Sequence, residues 1–276
     1  MVKKFAKRTV QRIARLVAKE FVAEMRNAGL LESIRVKIDV EDALLDLSTN
    51  LSKHRLQDFY AWNHRWVAML GERNRRTAES TYDFIETHMP DAIFLLNQMD
   101  FVKSRRDDIL ELDGEILDLG VYKGGSTRAL CRIFPEKTIH GFDSFEGLPE
   151  DWSYSLKGSF GDVEGRLPEV PDNAKLYKGW FDETLPVWAK EHSNSAISLL
   201  RIDCDIYSST KTILDELGHL IRPGTWILFD ELIGYSGWEA HEYKALREFL
   251  DQTKLEVEYI AYGLTYVLTR MSQPAT

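Results

Sequence analysis

From Glu115 onward, short continuous apolar runs alternate with stretches whose apolar positions recur three or four apart. Glu115–Leu119, Thr138–Phe142, Ala174–Tyr177, Ile197–Ile202 and Thr225–Phe229 are too short for helices and suit strands buried on both faces. Between them, Ser126–Phe134, Thr184–Glu191, Ser209–Ile221 and His241–Gln252 carry helical spacing, and Pro223-Gly224 turns the chain. Val257–Ala261 and Leu264–Thr269, split by Tyr262-Gly263, predict a closing strand pair. Repeated strand–helix–strand units with short connections imply a doubly wound, mostly parallel seven-stranded α/β sheet with helices on both faces.

Upstream the pattern is helical. Phe5, Val10, Ile13, Leu16, Val17, Phe21 and Met25 recur at helical spacing between Lys3 and Ala28, with Gly29 as a stop. The stretch from Val40 to Leu112 also reads as mainly helical, broken at Pro90. Two regions are therefore expected, a helical N-terminal region over 1–108 and an α/β domain over 109–276.

Charge sharpens that division. Through Arg26 the chain has eight basic residues against Glu20 and Glu24, a balance of +6, and the net charge of −9 leaves about −15 for the rest. An acidic α/β domain argues against nucleic acid as a partner. The basic amphipathic helix over 3–28 is suited to peripheral contact with a membrane surface, to a partner, or to packing within a homo-oligomer. With only Cys131 and Cys204, a disulfide framework is excluded and a reducing cytoplasm is expected. The apolar runs are too short to span a bilayer, and no uninterrupted secretory leader precedes them.

The candidate chemistry sits at strand ends. After the first strand comes Asp118-Leu119-Gly120-Val121-Tyr122-Lys123-Gly124-Gly125-Ser126-Thr127. Glycines such as Gly120 and Gly124 at a strand-to-helix turn let backbone approach a ligand, and the helix start offers free N–H groups. The spacing is not that of a pyrophosphate-binding turn, and the acid Asp118 suits a cationic ligand such as the amino end of S-adenosylmethionine. Asp143, after the second strand, is placed to accept hydrogen bonds from two ribose hydroxyls, or else to cap a helix. A second constellation joins Arg201, Asp203, Asp205 and Tyr207 after the fourth strand to Asp230 and Glu231 after the fifth. Adjacent strands lie about 4.8 Å apart, so these carboxylates approach one another and need a cation or a basic neighbour such as Arg201. An all-carboxylate set favours Mg²⁺ over Zn²⁺.

These motifs resemble a known family. Leu117 to Thr127 is similar to motif I of class I, Rossmann-like methyltransferases. Gly141-Phe142-Asp143-Ser144-Phe145-Glu146-Gly147-Leu148-Pro149, Lys178-Gly179-Trp180-Phe181-Asp182-Glu183-Thr184-Leu185-Pro186 and Asp203 to Thr210 resemble the macrocin O-methyltransferase-like family, whose members methylate sugar hydroxyls. The likeness runs from about Ile109 to the C-terminus. It implies S-adenosylmethionine contacts at Gly120, Ser126, Thr127, Asp143 and Ser144, with Gly179, Trp180 and Phe181 near the adenine. It also implies Mg²⁺ at Asp203, Asp230 and Glu231, and Asp205 as general base. The family members carry two aspartates where this chain has Asp230-Glu231.

The expected reaction is methyl transfer to a hydroxyl of a sugar, natural-product or glycan acceptor. Asp205, or failing it His241, would take the proton, and Tyr207, Tyr235 and Trp238 would wall the acceptor. His140 reads as structural, and Cys204 between two acids as a poor nucleophile. The alternatives are an inactive methyltransferase-like module that docks through its N-terminal helix, and an NAD-dependent oxidoreductase. The latter lacks the third-glycine spacing and an obvious proton relay.

Overall fold

The computed structural model describes residues 56–152 and 155–274, with side chains described from Met69 onward. The expected basic helix over 3–28 and its stop at Gly29 lie outside the described residues. The chain divides into two compact units between Glu72 and Arg73.

Helix α1 (Leu56–His88) ends two residues before Pro90, where the sequence predicts a break. A two-residue strand β1 (Ile93–Phe94) follows, then the short helices α2 (Gln98–Ser104) and α3 (Arg106–Leu110). Beyond them run β2 (Glu115–Leu119), α4 (Gly125–Ile133), β3 (Ile139–Asp143), β4 (Ala174–Lys178), α5 (Phe181–Glu191), β5 (Ile197–Ile202) and α6 (Tyr207–Leu217). The chain closes with β6 (Trp226–Phe229), α7 (Glu242–Thr253), β7 (Glu256–Tyr262) and β8 (Val267–Ser272).

The sheet has eight strands in the order β1-β7-β8-β6-β5-β2-β3-β4. It is parallel except for β8, which runs antiparallel to both β6 and β7. The eighth strand is β1, paired to β7 through Ile93 and Phe94, and two residues carry no readable period in a sequence. It brings residues N-terminal to the expected 108/109 boundary into the sheet. The last strand begins at Val267 rather than Leu264, because residues 263–266 form the turn, with Leu264 exposed and Tyr266 donating its hydroxyl to the Leu95 carbonyl.

Alternation within the strands builds two cores. On β6, Ile227 and Phe229 join Leu117, Leu119 and Trp188 on one face, while Trp226 and Leu228 join Ile116, Leu130 and Phe134 on the other. Each such fully buried side chain contributes roughly 1.5–3 kcal/mol, so both faces hold the sheet rigidly beneath its strand ends. Strand order reverses between β2 and β5, which places a ligand crevice at the carboxyl ends of those two strands.

Candidate active site

At that reversal the backbone is drawn tight. The Asp203 N–H donates to the Leu119 carbonyl at 2.8 Å, the Gly120 N–H to Phe142 at 2.9 Å, and the Asp230 N–H to Ile202 at 3.0 Å. Gly120 has φ +101, and a Cβ there would lie 1.7 Å from the Asp203 carbonyl oxygen. Only glycine allows β2 to leave the sheet so close to the end of β5.

A cleft opens above this junction. One wall is Gly120, Tyr122, Asp143, Ser144, Gly179, Trp180 and Phe181, and the other is Asp203, Asp205 and Glu231. The structure thus brings together nine residues picked out from the sequence, one from the turn and the rest from four strand ends. Three non-glycine residues lining the cleft, Tyr122, Phe160 and Asp205, hold left-handed backbone at φ 48, 66 and 65. Strain of that kind collects where a site over-determines its own geometry.

Asp143 accepts the Tyr122 N–H at 2.7 Å on one oxygen and the Phe145 N–H at 2.6 Å on the other. Burial raises its pKa, opposed by these backbone donors. The two bonds aim the carboxylate into the cleft while leaving lone pairs for a ligand. Asp118 stands elsewhere than expected. It is fully buried behind the turn, accepting from Ser126 Oγ at 2.8 Å, Thr127 Oγ1 at 2.6 Å and Arg201 Nη1 at 3.0 Å. Asp118, Ser126, Thr127 and Gly124 therefore shape the turn from behind instead of lining the cleft. Register explains it: Asp118 and Arg201 are partners across β2 and β5 and share the face against α4.

Among the described residues, Arg201 is the guanidinium that bonds these acids. Besides Asp118 it bonds Asp203 and, at 3.2 Å, Asp230. Burial works against its charge, but Asp203, Asp118 and Asp230 push its pKa well up. Asp230 also accepts from Gln98, a residue of α2 that sequence reasoning passed over. Among the described residues, Asp203, Asp205 and Glu231 each bring one carboxylate oxygen within 4.8 Å of the others. Asp203 and Glu231 belong to the expected metal set and the structure groups them with Asp205, while Asp230 accepts from Arg201 and Gln98 on one oxygen, Oδ1. Burial first, then neighbouring acids, raises Asp203 to about 6, Asp205 to about 7 and Glu231 to about 12. An all-oxygen triad this crowded has the donor chemistry of a hard divalent cation.

His241 caps α7 and does not line the cleft; burial lowers its pKa, and its Nδ1 has no hydrogen-bond partner. Tyr235 lies between it and Trp152, with ring centroids 5.9 and 5.6 Å away. Two expected acceptor walls are placed otherwise. Trp238 is buried against Phe84 and Tyr243 and donates its indole N–H to Ser80. Tyr207 bonds Glu248 under the Lys244 ammonium. Cys204 is buried with its pKa pushed well up by desolvation, which makes it the poor nucleophile expected.

Glu115, His140 and His192 form a second group of metal-ligating type. Trp188 donates its indole N–H to His140 Nδ1 at 3.2 Å, so the proton of a neutral ring sits on Nε2 and faces Glu115 at 3.2 Å. Burial keeps that ring neutral. With both nitrogens engaged this way, His140 offers no lone pair to a metal, in keeping with its structural reading.

The sequence profile described as Macrocin-O-methyltransferase (TylF) matches residues 95–262, more than half of the chain. The chain belongs to this family of S-adenosylmethionine-dependent O-methyltransferases. Among curated relatives, the 8-demethyl-8-(2,3-dimethoxy-α-L-rhamnosyl)-tetracenomycin-C 4′-O-methyltransferase of Streptomyces olivaceus is 27% identical over 59% of this chain and 70% of its own length. The mycinamicin III 3″-O-methyltransferase of Micromonospora griseorubida is 25% identical over 48% of this chain and 60% of its own. The crystal structure of the calicheamicin methyltransferase CalS11 superposes with a TM-score of 0.52 at 20% identity, covering 72% of this chain and 91% of that one, and shares the fold.

In a macrocin O-methyltransferase family member the Gly120 contact predicts its own test. Gly120→Ala must push β2 from β5, at a cost above about 3 kcal/mol. Thermal melting should fall by roughly 10 °C and S-adenosylmethionine binding should disappear. A variant that melts like the wild type would show that the two strands are not held this closely.

Proposed function

We propose that this protein methylates a hydroxyl of a sugar or other natural-product acceptor, with Mg²⁺ held by Asp203 and Glu231 beside Asp205. The observation that carries this reading is one cleft lined both by Gly120, Asp143, Gly179, Trp180 and Phe181 and by the carboxylates of Asp203, Asp205 and Glu231. Two curated relatives named for O-methylation of a tetracenomycin rhamnosyl group and of mycinamicin III support the acceptor class.

S-adenosylmethionine would supply an activated methyl, and a bound cation would acidify the acceptor hydroxyl. The chain's own residues do the rest. Asp143 would accept hydrogen bonds from the ribose hydroxyls, and Trp180 and Phe181 would flank the base. The Gly120 turn brings backbone up to the cofactor, which fixes its approach to the acceptor oxygen. Leu148 and Phe160 also line the cleft. Asp205, raised by burial, receives the hydroxyl proton on its carboxylate.

The proposal places the protein in a reducing cytoplasm, supported by two buried, free cysteines. Among the described residues no helix is long and apolar enough to cross a membrane. A homo-oligomer is part of the proposal, checked by sedimentation.

Thermal melting with S-adenosylmethionine or NAD tests the cofactor directly, since a ligand that binds only the native state raises the transition. S-adenosylmethionine should raise it and NAD should not. Methyl transfer to rhamnosylated polyketides, with and without Mg²⁺, then tests the acceptor and the cation. A chain that neither cofactor shifts would return the protein to the docking-module reading.

A further inference from the structure

Between β3 and β4 the chain makes a long excursion, and part of it folds back to the cleft. The Leu148 N–H donates to the Ser159 carbonyl and the Gly158 N–H to the Leu148 carbonyl, both at 2.9 Å. That closure delivers Phe160, which lines the cleft while 46% exposed. Its backbone is left-handed, a conformation that a bulky side chain adopts only where its surroundings impose it. A large apolar ring half in water at a cleft wall gains from being covered by a ligand.

Two residues on, Asp162 fastens this segment to the glycine turn. Its Oδ1 accepts the Tyr122 hydroxyl at 2.7 Å, and its Oδ2 accepts from the Lys123 ammonium at 2.6 Å. Among the described residues, these are the side-chain hydrogen bonds that join residues 158–164 to residues 120–125. With them in place the Tyr122 and Phe160 rings meet edge to face, 5.7 Å apart between centroids and at 78°. Tyr122 also donates its backbone N–H to Asp143, so one residue ties the fastening to the acid at the end of β3. Folding stability does not account for it. The Lys123 and Asp162 side chains are more than half exposed, and ion pairs so placed add little to stability. What the two bonds determine is where Phe160 stands.

We propose that Asp162 is a positioning residue for cofactor binding, holding Phe160 through Tyr122 and Lys123 so that the Phe160 ring covers bound S-adenosylmethionine. This rests on the reading of the cleft as the cofactor site. Phe160 touches the cofactor and Asp162 does not. Without the two bonds the ring samples other placements, and apparent affinity falls with the fraction of time it stands over the cleft.

Calorimetric titration of S-adenosylmethionine into the full chain tests this with wild type, Asp162→Ala, Phe160→Ala and the double variant. Each single substitution should weaken binding about tenfold, with thermal melting at the wild-type value because the side chains removed are exposed. The double variant should bind no more weakly than Phe160→Ala, since a residue that acts only through another adds nothing once that other is gone. Unchanged affinity in either single variant would overturn the proposal and leave the cofactor site standing. Losses that multiply, to about a hundredfold in the double variant, would overturn it too, because Asp162 would then act independently of Phe160. A wild type that binds no S-adenosylmethionine would overturn both the proposal and the reading beneath it. Should Asp162→Ala fail to fold, Tyr122→Phe combined with Lys123→Ala removes the same two bonds from the other side. The same loss of about tenfold is expected there, and wild-type affinity would overturn the proposal.

Discussion

Asp143→Ala should lower S-adenosylmethionine affinity by at least about 10²-fold in calorimetric titration. Two ribose hydroxyls donating to one carboxylate are each worth roughly 1.5–3 kcal/mol, and the substitution removes both. It also strands the N–H groups of Tyr122 and Phe145, which the carboxylate now accepts. The Gly120–Gly124 turn should therefore loosen, and melting should drop along with affinity. Asp143→Asn is not a mild control, because both carboxylate oxygens accept from backbone and an amide must turn its NH₂ toward one of those donors. Its affinity should fall nearly as far. Unchanged binding in Asp143→Ala would mean that the ribose does not lie against the end of β3.

Asp205→Asn should reduce turnover by roughly 10²–10⁴-fold while leaving S-adenosylmethionine affinity intact, the range for loss of a general base. The same residue sets a pH dependence. Burial, with Asp203 and Asp230 nearby, raises the Asp205 carboxyl from 3.8 to about 7, and only its ionised form can accept a proton. Turnover should therefore be full above about 7 and fall about tenfold for each pH step below it. A bound cation beside the carboxylate favours the ionised form, so raising Mg²⁺ should move that midpoint to lower pH. Asp230→Asn is the informative partner. Asp230 is held by Arg201 and Gln98, so its neutralisation should cost turnover less than Asp205→Asn does. The reverse order would give the cation to Asp230 and restore the set implied by family resemblance.

Most of the sheet was legible because parallel strands buried on both faces write themselves as apolar runs, and β2, β3, β5 and β6 are such runs. That Gly120, Asp143 and Asp203 line the cleft was legible for a related reason: they end or directly follow strands whose carboxyl ends border the crevice of a doubly wound sheet. What stayed hidden depends on distance in space. Strand β1 is too short to show a period. The seat of Asp118 follows from its register against Arg201, which one sequence does not display. Gln98 donates to Asp230, and Glu242 accepts the Glu231 backbone N–H, from elements whose local pattern is ordinary for a helix start. Glu242 carried one faint signal, an acid directly after His241 at the head of an amphipathic helix, indistinguishable there from a solvent-facing residue.

The margins of the sheet limit how copies of this chain can meet. An open row of N–H and C=O groups invites a further strand from another molecule, and long flat edges do so most. One margin here is β1, whose two residues are too few to register a partner. The other is β4, where Lys175 and Lys178 are exposed and their ammonium groups resist close approach of a second strand. Sheet-to-sheet extension, the usual route from an eight-stranded edge to fibres, is blunted on both sides.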